Sequence, residues 1–253
     1  MRINRIYCKT TLSEQGEFEP DERVAHYLLN VLRLRERDKV RLFDGSGCDY
    51  EATLVAVTRK KAILSIGAAH DVVTESPLHT TLAIAMGKGE RMDWAVQKAT
   101  ELGVNCIVPL GTERVELKLA GERLARKLAH WQQVSISACE QCGRSRLVNI
   151  LQPQSLMAWI SDSGAQPNSG SHAGMLMHAE GESFSSFAKP FASPEQATVL
   201  VGPEGGFTEA EIAFGRDSGF GIVKLGRRIL RNETAPVVGL TLLQSRWGDF
   251  REL

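Results

Sequence analysis

No apolar run in the sequence reaches membrane-spanning length, and the opening MRINRIYCKT lacks the apolar centre of a signal peptide. A soluble, cytoplasmic chain with no membrane partner is expected. Net charge is also missing: 30 lysines and arginines balance 30 aspartates and glutamates. That argues against a protein coated in positive charge, although a local basic patch on a neutral chain still suits nucleic acid. The five cysteines (Cys8, Cys48, Cys106, Cys139 and Cys142) are odd in number and irregular in spacing, which argues against a secreted disulfide framework. Cys139 and Cys142, in CEQC, have the spacing of half a zinc site or a redox pair. No second pair exists, so no metal is expected and packed thiols are the favoured reading. No internal repeat is present. The 253 residues, 43% hydrophobic and 24% charged, suit one large domain or two small ones with a real core.

Two rhythms run along the chain. Residues 1–72 read as short strands, with a hairpin signal at Asp44-Gly45 and one helix in DERVAHYLLNVLRL, where Val24, Leu28 and Val31 fall at helical spacing. A small β-barrel is expected there, followed by a linker in TESPLH. Residues 73–253 alternate apolar strands with amphipathic helices. TLAIAM, CIVPL, LVNIL, GMLMHA, TVLVG and GIVKLG are the strands. The helices include ERMDWAVQKATEL, stopped by Gly103, and a long one from Glu122 to Cys142 with the stripe Leu124, Leu128, Trp131, Val134 and Ala138. This alternation predicts an α/β fold with a parallel sheet covered on both faces.

In such sheets ligands bind beyond the carboxyl ends of the strands. Two loops there are polar and glycine-bearing. The first, Gly202-Pro203-Glu204-Gly205-Gly206, precedes a helix that Thr208 and Glu211 open with a capping box. It lacks the Gly-Lys-Ser/Thr ending of a phosphate loop and is not a G-x-G-x-x-G dinucleotide loop. A buried Glu204 would repel phosphate and suit hydroxyls, amines or a cation. From the glycines alone, a tight turn and a binding site are equally good readings. The second loop, LGRRILRNETAP, places Arg227, Arg228, Arg231, Asn232 and Glu233 before a final apolar helix. Thr234 is its candidate cap, and Pro236 lies near its start.

Together, GPEGGFTEAEI, LGRRILRNETA, ERMDWAVQKATELGV and ACEQCGRSR resemble the SPOUT-class RNA methyltransferases, on the side of the bacterial enzymes that methylate N3 of a uridine in 16S ribosomal RNA. The resemblance covers nearly the whole chain. It implies a PUA-like barrel over 1–72 that helps grip RNA. It also implies a SPOUT domain over 73–253 with a parallel sheet, tied into a trefoil knot. The implied cofactor is S-adenosylmethionine, a sulfonium nucleoside without phosphate. Three segments would wrap it. They are Met177, His178, Ala179 and Glu180; Val201 and Gly202 to Gly206; and Leu225 to Ala235, including Gly226, Leu230, Arg231, Asn232, Thr234 and Ala235. A homodimer is implied, with each RNA site built from both chains, and 16S rRNA within the small subunit as partner. Pro236 departs from the family pattern and bears on where the last helix begins.

Basic residues cluster at Arg2 and Arg5, at Arg33, Arg35 and Arg37, and at Arg144 and Arg146. Such groups can track a phosphate backbone. Glu140 and Gln141 would read the edge of a splayed-out base. Methyl transfer from a sulfonium needs alignment more than covalent help. Uracil N3 must also lose a proton. Arg231 is the candidate to stabilise the uracil anion, with Glu140 and Glu233 as candidate bases. Two rivals remain at this level: a non-catalytic RNA-binding module, and a SPOUT enzyme acting on a ribose 2′-hydroxyl or a tRNA base.

Overall fold

The computed structural model describes residues 3–58, 61–87, 89–115, 120–162, 167 and 170–252. The chain divides into two compact units. The first is Met1–Glu75 with Ile136–Leu147; the second is Ser76–Ser135 with Val148–Leu253. Among the described residues no helix is long and apolar enough to cross a membrane.

In the first unit, strands β1 (Arg5–Tyr7), β2 (Glu17–Phe18), β3 (Lys39–Phe43), β4 (Cys48–Val57) and β5 (Ala62–Asp71) form one sheet in the order β1-β3-β4-β5-β2. Only β1 and β3 pair in parallel. The Asp44-Gly45 signal does make the β3–β4 hairpin, and the Asp44 carboxylate closes it by accepting from the Ser46 amide at 3.0 Å. Helix α1 (Glu22–His26) starts where Asp21 accepts from the Val24 amide at 2.8 Å, and it runs on into one π-helical turn, Tyr27–Val31. Val24 and Leu28 from this segment meet Ile6, Leu42, Leu54 and Leu64 in a core of their own. The five cysteines form no disulfide with one another. Cys139 is buried, which pushes its thiol up to about 12. No cluster of three or more His, Cys, Asp or Glu able to hold a metal occurs among the described residues.

The second unit is a three-layer α/β sandwich. Its strands are β6 (His79–Ala85), β7 (Cys106–Gly111), β8 (Asn149–Ile150), β9 (Gln154–Ser155), β10 (His172–Ser183), β11 (Gln196–Val201) and β12 (Gly221–Lys224). They lie in the order β12-β10-β11-β6-β7-β8, with β9 also on β7, and every pair is parallel. The helices are α2 (Arg91–Glu101), α3 (Gly121–Cys142), α4 (Leu156–Asp162), α5 (Phe184–Ala188), α6 (Glu209–Asp217) and α7 (Thr234–Trp247). Strand side chains alternate between the layers. Leu82, Ile84, Met175, Val199 and Val201 face a core shared with α2, α5, α7 and Trp131 of α3. Ala83, Val108, Leu176 and Leu200 face one shared with α4 and α6. A sheet buried on both faces needs near-continuous apolar strands, which is why TLAIAM and TVLVG read so clearly.

Three details differ from the sequence reading. LVNIL yields only the two-residue β8. The short helix α5 carries no periodic signal long enough to see. Glu233, not Thr234, precedes α7, and it makes no side-chain cap; Thr234 is already helical. Pro236 falls in the first turn, where amides have no helical acceptor and a missing N–H costs little. Half of the polar segment 161–172, residues 163–166, 168 and 169, lies outside the described residues.

Candidate functional site

Parallel register places the carboxyl ends of five strands side by side. Leu176 of β10 pairs with Leu200 of β11, Met177 with Val223 of β12, Val201 with Ile84 of β6, and Ala85 with Leu110 of β7. The segments that follow therefore leave the sheet along one edge. Met177 to Glu180 is not a loop after a strand, as expected, but part of a bulge inside β10: pairing with β12 breaks after Met177 and resumes at Glu182. Gly181 closes this bulge against β12. A Cβ there would stand 2.5 Å from the Ile222 carbonyl oxygen, a backbone atom that cannot step aside. Gly181→Ala is therefore expected to cost about 1–3 kcal/mol of stability by overpacking, read as a lower denaturant midpoint.

The Gly202–Gly206 loop is a tight turn, closed by the Gly206 amide donating to the Pro203 carbonyl at 2.8 Å, with Gly206 at φ 72. Below it, the capping box forms as read. Thr208 caps α6, and the buried Glu211 accepts from the Thr208 amide at 2.8 Å and from the Glu113 amide at 2.9 Å. The loop after β12 is fastened to this turn by one side chain. Asn232 is buried, 5% exposed, and its Nδ2 donates to the Gly202 carbonyl at 2.6 Å. That bond orients the amide, because only the nitrogen can face a carbonyl. Among the described residues the buried Asn232 Oδ1 has no partner, and neither do Glu233 Oε2 and Thr112 Oγ1. Gly87, after β6, leaves room beside that Oδ1: a Cβ there would lie 3.3 Å from it.

These orphan atoms decide what the site suits. Two buried acceptors, an amide oxygen and a carboxylate oxygen, call for a ligand that donates hydrogen bonds. Phosphate oxygens at neutral pH only accept. A nucleoside carrying amine and hydroxyl groups fits.

The expectation for Glu204 is corrected. Its carboxylate is exposed rather than buried, and it is paired with the Arg91 guanidinium at the start of α2. A paired, solvated glutamate does not repel phosphate strongly. Arg114, after β7, donates to the Gly205 carbonyl. Arg91 and Arg114 thus bracket the glycine turn. Sequence reasoning missed both, since each is an ordinary surface arginine until β6, β7 and β11 are known to be neighbours. Of the other expected cofactor residues, Val201 and Pro203 are buried. Met177, His178, Leu225, Leu230, Thr234 and Ala235 are half-buried, and Gly226 is exposed. Arg231 stands with 81% of its side chain exposed, 3.9 Å from Glu233, whose side chain is 18% exposed.

The RNA methyltransferase domain family matches residues 74–244, and the RNA methyltransferase PUA domain family matches residues 20–67. The chain belongs to the RNA methyltransferase family. Its relatives include a protein named ribosomal RNA small subunit methyltransferase E from Buchnera aphidicola of Schizaphis graminum, 30% identical over 98% of both chains. Among solved structures, it is similar to the ribosomal RNA small subunit methyltransferase E of Neisseria gonorrhoeae bound to S-adenosyl methionine. The TM-score there is 0.88 at 34% identity, over 98% of this chain and 100% of that one. A methyltransferase from Legionella pneumophila in complex with the same cofactor gives a TM-score of 0.90 at 34% identity, with the same coverage.

In this RNA methyltransferase the arginines read as RNA contacts divide into two sets, both in the first unit. Arg33, Arg35, Arg37, Arg146 and Gln141 are exposed. Arg5 and Arg144 are not available, which corrects the expectation for both. Arg5 donates to both oxygens of Asp49 at 2.8 and 2.7 Å, and to the Cys139 carbonyl at 2.8 Å and Ser145 Oγ at 2.7 Å. Arg144, 3% exposed, donates to Glu75 at 3.0 and 2.7 Å. Arg2 lies outside the described residues. Glu140 belongs to the first unit, whereas Arg231 and Glu233 belong to the second. Burial raises its carboxyl above the ordinary 4.5, and the Tyr7 amide donating to it at 3.0 Å offsets part of that.

Proposed function

We propose that this RNA methyltransferase uses S-adenosylmethionine to methylate N3 of a uridine in 16S ribosomal RNA, acting as a homodimer in the cytoplasm on RNA of the small subunit. The observation that carries the cofactor reading is the buried Oδ1 of Asn232, on the side chain bonded to the glycine turn, which like the buried Oε2 of Glu233 has no partner among the described residues. Likeness to relatives named for small-subunit rRNA methylation supports the substrate. The PUA domain match and the exposed arginines of the first unit support RNA contact there.

When bound, the cofactor would supply a methyl group on a sulfonium, whose C–S bond breaks to release a neutral thioether as a good leaving group. Asn232 and Glu233 would accept hydrogen bonds from its amine and hydroxyl groups, and the Gly202–Gly206 backbone would let it approach closely. Removing the N3 proton leaves an anion on uracil. Arg231, exposed to solvent and always charged, is the residue to stabilise it. Glu233 is the acceptor nearest Arg231 for the proton. Glu140, held at the Tyr7 amide, we assign to positioning within the first unit and not to proton transfer.

Arg231→Ala is expected to lower single-turnover methylation by about a hundredfold while calorimetric affinity for S-adenosylmethionine stays near wild type. Equal methylation rates would remove Arg231 from the chemistry. The broader reading is tested by methylating 16S rRNA in vitro and analysing its nucleosides by mass. N3-methyluridine is expected; a ribose-methylated product would overturn the substrate assignment, and no heat of cofactor binding would overturn the enzyme assignment.

A further inference from the structure

The N-terminal half of α3 carries Arg123, Arg126, Lys127 and His130 at helical spacings of three and four, which puts them on one face. Together they line a shallow open surface. In a chain with no net charge, the three cations Arg123, Arg126 and Lys127 on two helical turns are a concentration of positive potential. The local carboxylates do not cancel it. Glu122 approaches Arg126 only to 3.9 Å, with both side chains largely in solvent, a pair that is worth little. Asp93 of α2 accepts from the Trp131 indole at 3.1 Å, contacts His130 at 2.7 Å and lies 3.8 Å from Lys127. Arg123 has no carboxylate partner among the described residues.

Asp93 also fixes where this face lies. It sits in the first turn of α2, beside Arg91, which pairs with Glu204 of the glycine turn. The basic face of α3 therefore continues, through the start of α2, to the edge of the sheet that holds the candidate site. One turn beyond Arg91 on α2 stands Trp94, a large indole that is 39% exposed. Cations along a path with a solvent-facing aromatic are what an unpaired nucleic-acid strand needs: phosphates follow the charges and a base stacks on the ring.

We propose that the α3 face of Arg123, Arg126 and Lys127, with Trp94 on α2, is a binding track for single-stranded RNA that leads its backbone to the methylation site. The proposal rests on the RNA methyltransferase reading for its choice of partner. No role in the reaction itself is given to these residues.

The test uses the full chain and a short labelled oligouridylate, with anisotropy followed over a salt series. The double variant Arg123→Gln/Arg126→Gln is expected to bind about tenfold more weakly at physiological salt, and to lower the slope of log affinity against log salt by about 1.4, at 0.7 per lost phosphate contact on a single strand. Trp94→Ala is expected to lose about tenfold in affinity with the slope unchanged. S-adenosylmethionine affinity, read by calorimetry, stays at wild type in both and shows that the fold is intact. Unchanged oligouridylate affinity and slope in both variants overturn the proposal. So does a Trp94→Ala variant whose RNA binding is unchanged but whose sedimentation shifts to a smaller species, because the indole then serves a second copy of the chain. A wild-type protein that binds oligouridylate through this face yet forms no N3-methyluridine leaves the track standing and sinks the substrate assignment instead.

Discussion

Asn232→Asp is expected to lower S-adenosylmethionine affinity by about a hundredfold or more. The substitution is isosteric, but it replaces the Nδ2 donor with a carboxylate oxygen facing the Gly202 carbonyl at hydrogen-bond distance. Two acceptors then oppose each other in a buried position, and the new charge has no partner. An unpaired buried polar group costs about 1–3 kcal/mol and an uncompensated buried charge about 3–5 kcal/mol. Each 1.4 kcal/mol is about a tenfold change in affinity. The loop after β12 would lose its side-chain hydrogen bond to the glycine turn. Asn232→Ala loses the same hydrogen bond without adding charge, so it should weaken binding less, by about tenfold. The order Asp worse than Ala is the signature, together with partial recovery of the Asp variant on acidification, when its protonated carboxyl can again donate to Gly202. Calorimetry across a pH series measures both. An aspartate variant that binds as tightly as wild type at neutral pH would show that this amide does not organise the site.

Asp49→Ala should destabilise the first unit by about 3 kcal/mol, the cost of leaving the largely buried Arg5 guanidinium without its carboxylate. Arg5→Ala should be of similar size. It would also free Asp49, the Cys139 carbonyl and Ser145 from their shared donor. Lysine cannot replace it, because a single ammonium does not reproduce the fork that meets both Asp49 oxygens and the α3 terminus at once. Hydrogen exchange in segment Ile136–Leu147 should accelerate with the loss of thermal stability. The rival role for Arg5, direct phosphate contact, makes the opposite forecast: unchanged stability, and a salt slope for RNA binding reduced by about one.

The same pair carries a pH dependence. Burial alone would raise the Asp49 carboxyl, but hydrogen bonds from Arg5 and Ser145 and the charge of Arg5 outweigh it and hold the group below its ordinary 3.8. In acid the unfolded chain therefore takes up this proton first. The stabilisation is present above 3.8 and is lost as pH falls through the lower folded value. The Asp49→Asn variant should lack that part of the acid transition.

How far the sequence could be read depended on how local each feature is. The apolar strands other than LVNIL, the stop at Gly103, the Asp44-Gly45 hairpin and the Thr208–Glu211 capping box are settled by residues a few positions apart, and they occur where the pattern puts them. The glycine turn was legible as a turn at the end of a buried strand. Its neighbours were not. Arg91 meets Glu204 across 113 positions, and Arg114 meets Gly205 across 91. Nothing near any of these residues signals the contact, so Glu204 reads as a buried, phosphate-repelling group although it is a solvated half of an ion pair.

The arginines teach the same lesson from the other side. Arg5 and Arg144 look like Arg33 and Arg146 in a string of letters, because charge type and spacing do not reveal burial. Only the tertiary structure shows that two of them face carboxylates inside the first unit while the others face water. It also assigns Ile136–Leu147 to that unit, a division invisible in a helix whose backbone bonds continue from Gly121 to Cys142. Composition and short-range pattern determined the fold class and the edge of the sheet where ligands go. Long-range pairing decided which atoms meet there, because a buried donor or acceptor acquires meaning only from the partner that chain folding brings to it, or fails to bring.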